Sequence, residues 1–105
     1  MGWAKYAIEA LQNGETVQVR PSGHSMKGKI NHKDIVTLAP CDPDDLEVGD
    51  IVLVRVRGNV LLHLIKAIDG KKKRFLIGNN RGKINGWAGR NGIYGVVIEV
   101  ESPNN

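Results

Sequence analysis

Apolar residues follow a helical spacing at the start of the chain and an alternating one in short runs after residue 15. Trp3, Ala7, Ile8 and Leu11 predict an amphipathic helix over residues 3–12, stopped by Asn13-Gly14. Residues 15–20 alternate as a strand up to Pro21, and residues 34–39 form a second, closed by Pro40. Residues 41–45 read as an acidic surface turn. The clearest local structure is a hairpin, in which residues 51–57 and 60–68 flank the two-residue link Gly58-Asn59. That link sets Arg57 opposite Val60, Val56 opposite Leu61 and Val54 opposite His63. Residues 74–77 and 93–100 add two strands, and the stretch from 78 to 92 reads as irregular with Trp87 as its anchor. The pattern predicts a compact, mostly-β domain over residues 1–105, with a curled or barrel-like sheet and a short N-terminal helix.

Composition narrows the class. At 105 residues, 41% hydrophobic and 25% charged, the chain has the make-up of an ordinary globular domain. No apolar run approaches the ~20 residues that span a bilayer. Lys5 and Glu9 interrupt the N-terminal apolar positions, unlike a secretory leader, so a cytoplasmic location is expected. Cys41 is the sole cysteine, which rules out an intrachain disulfide. With His24 and His32 it matches no recurrent metal-ligand spacing, so neither a metal nor a cofactor is expected. The net charge of +4 owes much to Lys71-Lys72-Lys73-Arg74. No aromatic residues are interleaved there for base stacking, so the run reads as a solvated loop tip and nucleic acid is not the expected partner.

Candidate chemistry centres on the glycine-punctuated segment 21–28. Ser25 follows a strand and sits in a turn that can present its hydroxyl. A serine needs a base to become a nucleophile. His63 is the candidate, because strand alternation sets it on the apolar face shared by Val52, Val54, Val56, Leu61 and Ile65. Desolvation there favours the neutral imidazole that a general base requires. The same two residues also fit a turn serine and a hydrogen-bonded core histidine.

Four segments, in order, resemble the serine peptidase superfamily of signal peptidases and LexA-like self-cleaving SOS repressors. Ser22-Gly23-His24-Ser25-Met26 resembles its nucleophile box, and Gly49-Asp50-Ile51-Val52 the box that opens the next strand. Leu61-Leu62-His63-Leu64-Ile65 falls at the general-base position, where histidine is similar to the archaeal and endoplasmic-reticulum branch. Gly78-Asn79-Asn80-Arg81 and Gly95-Val96-Val97 resemble the closing boxes. The resemblance implies a peptide or protein substrate, a Ser25–His63 dyad and an oxyanion or substrate cleft formed with Ser22, Gly23 and Met26. The aspartate that assists the histidine in that branch falls on Asn79, which implies an orienting role for that residue. The stretch after it, Lys83-Ile84-Asn85-Gly86, lacks an aspartate as well. The alternative is a catalytically weak or inactive relative that binds peptide or a protein partner.

Overall fold

A computed structural model describes residues 3–21, 26–71 and 74–102. Helix α1 (Trp3–Gln12) is followed by β1 (Val17–Val19), β2 (Ile35–Ala39), β3 (Ile51–Val56), β4 (Asn59–Asp69), β5 (Arg74–Gly78), β6 (Ile84–Gly89) and β7 (Ile93–Glu101). A short 3-10 turn, Pro43–Asp45, lies in the acidic connection, where the Asp42 side chain accepts from the Asp44 N–H. All seven strands join one antiparallel sheet in the order β1-β2-β7-β3-β4-β5-β6. The sheet is open rather than curled into a barrel, with β1 and β6 as its edges. Its ladder never closes, although Gly86 of β6 leans over Val56 and Arg57 at the end of β3.

Strand alternation divides the core in two. On one face, Ala7, Ala10 and Leu11 of α1 cover Val36, Leu38, Leu53, Leu62 and Leu64, together with Met26 and Ile30. On the other, Val52, Val54, Val56, Ile65, Phe75, Ile77 and Ala88 pack under Leu46. Successive residues along β3 and β4 therefore feed opposite cores, as a period of two requires when both faces are covered.

The hairpin turns on Arg57-Gly58 rather than Gly58-Asn59. Both residues have positive φ, 51° and 85°, the conformation of a type I′ turn. Consequently Val56 pairs with Asn59, Val54 with Leu61 and Val52 with His63. The slide moves every pair by two residues, so no side chain changes face. The hydrophobic pattern alone is blind to it.

The stretch expected to be irregular contains β6, paired along β5 from Arg74↔Gly89 to Gly78↔Ile84. Trp87 is no core anchor, since 42% of its surface is exposed. Instead the Arg74 guanidinium lies 4.9 Å from the ring centroid, and Asp69 holds Arg74 by two hydrogen bonds.

Candidate functional site

His63 is 7% exposed and lies one residue beyond the last β4–β5 pair that precedes the loop, Leu64↔Gly78. There β5 gives way to residues 79–83, and the ring meets a side chain instead of another strand. Its Nδ1 donates to Asn85 Oδ1 at 2.9 Å. In the neutral ring that bond fixes the proton on Nδ1 and leaves the lone pair on Nε2, the nitrogen a general base uses when the other is held from behind. Burial pushes the His63 pKa below its ordinary 6.5; the Asn85 bond opposes this and the nearby Lys83 charge adds to it. Because the folded state holds this proton less tightly than the unfolded chain, the neutral ring's contribution to stability is complete above pH 6.5. It is lost as pH falls through the lowered value.

Asn85 reaches the ring through a β-bulge. Ile77 pairs with Gly86 and Gly78 with Ile84, so Asn85 is the extra residue between them. Simple alternation would give Asn85 the side of exposed Trp87; the bulge turns its amide to the imidazole, as bulges beside functional groups do. A second bulge on the other side of β5, between Ile65 and Ala67, leaves Lys66 unpaired. Its side chain lies along Gly78.

Asn79, the residue that the resemblance put behind His63, spends its side-chain oxygen within its own loop. Oδ1 accepts the N–H groups of Arg81 at 2.8 Å and Lys83 at 2.9 Å, while the Asn79 N–H donates to the Lys83 carbonyl at 2.9 Å. This knot builds the approach to Asn85. It also explains Gly78, where a Cβ would fall 2.5 Å from the Lys83 carbonyl oxygen. Gly78→Ala is expected to cost ~1–3 kcal/mol by forcing that backbone apart. A thermal melt checks the loss, and the His63 Nδ1 proton resonance checks that Asn85 has been displaced. A variant that melts like the parent would show that the loop yields freely.

The next residue, Asn80, reaches the other half of the site. Its Nδ2 donates to the Lys27 carbonyl at 2.8 Å. Ser22, Gly23 and Ser25 lie outside the described residues. Met26, expected beside a substrate cleft, is 4% exposed and belongs to the helix-side core with Leu62 and Leu64, the β4 neighbours of His63. Its carbonyl accepts from Lys29 and Ile30, closing a single tight turn. The loop from 78 to 85 thus binds the turn that follows Ser25 with one amide and the imidazole with another.

Among the described residues no cluster of His, Cys, Asp and Glu is arranged to hold a metal ion. No described helix is long and apolar enough to cross a membrane. No protein-family model matches the chain, and no curated protein matches it.

Proposed function

We propose that this chain is a serine peptidase of the kind that its four boxes resemble, with Ser25 as nucleophile and His63 as general base. One observation supports it above the others: Asn85 binds His63 Nδ1 while Asn80, five residues earlier, binds the Lys27 carbonyl. Ser25 is two residues from Lys27, a separation of at most ~7 Å along the chain. The partner of the imidazole and the partner of the turn after Ser25 thus stand on one short stretch of chain, which supports the reading.

In this reading the Ser25 Oγ attacks the scissile carbonyl carbon as its proton passes to His63 Nε2. The tetrahedral oxyanion takes hydrogen bonds from the Ser25 backbone N–H and a donor at Ser22 or Gly23. Nε2 then gives the proton to the leaving amine, the C–N bond breaks, and an acyl-enzyme remains. Water attacks the ester, losing its proton to Nε2, and Oγ recovers a proton as the acid leaves. Asn85 holds the ring and tautomer throughout, but being neutral it adds no charge to stabilise imidazolium. That neutrality favours a second reading, a slow enzyme or a peptide-binding relative of the same design.

An uncharged fluorophosphonate tests the assignment. The parent should be labelled, with a rate that rises through one ionisation below pH 6.5, and both Ser25→Ala and His63→Ala should abolish labelling. Labelling that survives Ser25→Ala would refute the nucleophile. A rate rising only at strongly alkaline pH and surviving His63→Ala would transfer the base to a lysine such as Lys66. Folded parent protein that never labels would leave the peptide-binding reading.

A further inference from the structure

The charges of this chain are segregated around His63. Residues 16–33 and 70–98 hold eleven of the fifteen lysines and arginines and none of the eleven aspartates and glutamates. These two stretches also supply every candidate site residue except His63 itself. Three of these cations and Lys66 share one backbone framework. Lys27 is fastened to Asn80 by its carbonyl, and Arg81 and Lys83 give their N–H groups to Asn79. Lys66, on the strand of His63, runs its side chain along Gly78 at the root of the same loop. Lys27, Arg81 and Lys83 are exposed and Lys66 is half-buried.

Two cations elsewhere are neutralised by carboxylates. Arg74 binds Asp69, and Arg90 binds Asp44 at 2.7 Å with Asp42 close by. Among the described residues Lys27, Lys66, Arg81 and Lys83 form no ion pair. The nearest acidic residue in sequence to the Lys27 turn, Asp34, is buried and accepts the Asn31 N–H at 2.8 Å. Asp50 lies next to Ile65 on the neighbouring backbone, but its carboxylate accepts the Glu47 N–H and pairs with none of the four. Four like charges without an ion pair create a positive field, and an anionic ligand is what relieves it.

We infer that this rim, formed by Lys27, Lys66, Arg81 and Lys83, binds an acidic stretch of polypeptide, so the substrate of the proposed peptidase carries Asp or Glu beside the scissile bond. The inference rests on the Ser25–His63 reading for the reaction, but the binding stands separately. A polypeptide fits better than a nucleic acid because no described aromatic ring of the sheet is available to stack bases. Phe75 is buried, Trp87 carries the Arg74 guanidinium, and Tyr94 is engaged by Arg55. Beside the rim, β6 is an edge strand, the kind of element with which an extended chain pairs.

The test uses the full chain carrying Ser25→Ala and two fluorescein-labelled decapeptides of one alanine-serine framework, one with four glutamates and one with four lysines. The acidic peptide should bind about tenfold or more tightly than the basic one by anisotropy, the sum of several exposed pairs that are each weak in water. Its advantage should shrink between about 50 and 300 mM salt. Lys27→Glu with Lys83→Glu should erase the preference, while Lys71→Glu on the distant β4–β5 turn should keep it. Equal binding of the two peptides, or a preference lost equally in Lys71→Glu, overturns the inference. So does a single-stranded oligonucleotide that binds as tightly through the same two lysines, which would assign the rim to nucleic acid. Labelling of the parent by the uncharged fluorophosphonate is read in parallel. Labelling without a charge preference refutes only the acidic substrate, and a preference without labelling refutes only the reaction.

Discussion

Val54→Asp is expected to remove the cooperative thermal transition, whereas its neighbour Arg55→Ala should melt close to the parent. Val54 is fully buried in the core formed by Val52, Val56, Ile65, Phe75 and Ile77, with no polar partner within that cluster. A carboxylate there loses its hydration without gaining a hydrogen bond or a cation, a change worth more than ~4 kcal/mol. A domain of this size has roughly 5–10 kcal/mol to lose. Arg55 is exposed on the helix-side face, where its Nε donates to Tyr94 Oη at 2.9 Å and its guanidinium lies 5.9 Å from the ring centroid. Losing that contact should cost about 0.5–1 kcal/mol, a shift of a few degrees. Equal losses for the two variants would contradict the division of the sheet into two cores.

Much of this division is legible in residue spacing alone. The helix, the β3–β4 alternation and the apolar face of His63 follow from it, because a period of two fixes faces wherever both are covered. What spacing leaves open is anything that preserves or breaks that period. The slide of the hairpin turn to Arg57-Gly58 preserves it, so only backbone geometry tells the two registers apart. The bulge at Asn85 breaks it, and a residue that alternation aims at solvent ends on the imidazole instead. β6 itself hides because its inward positions are Gly86 and Ala88, too small to register as a hydrophobic strand, while its large residues, Ile84 and Trp87, face out. Openness of the sheet is likewise a matter of long-range pairing, which no local pattern specifies. For the site, a signal for Asn85 was present: it stands in the stretch where the resemblance looks for a downstream carboxylate. Two asparagines competed for one role, and hydrogen bonds separate them. Asn79 is occupied by the N–H groups of Arg81 and Lys83, and Asn85 is the one on the ring.

Under the proposed Ser25–His63 reading, Asn85→Asp should raise the reactivity of Ser25. A carboxylate in place of Asn85 Oδ1, 2.9 Å from Nδ1, would keep the bond and the tautomer while adding a negative charge opposite the imidazolium. An opposite charge this close raises a histidine pKa by ~1–3 units. The lowered His63 value should thus move upward, and the fluorophosphonate rate should reach its plateau at higher pH than in the parent. Rates must be compared on both plateaus, because below its plateau each form has part of its ring protonated and unable to act as base. On the plateau an increase of at least ~10-fold is expected, well inside the roughly four orders of magnitude that the reverse exchange removes in a serine protease. Asn85→Leu should do the opposite by removing the acceptor that holds Nδ1, with a loss of labelling and ~1–3 kcal/mol of stability. Asn79→Asp supplies the comparison, since a carboxylate there would still accept from Arg81 and Lys83 and should raise the His63 pKa less. The gain in Asn85→Asp must vanish when His63 is alanine. A gain that persists without His63 would place the new charge in some other role, and an unchanged histidine titration would show that Asn85 does not hold the ring in solution.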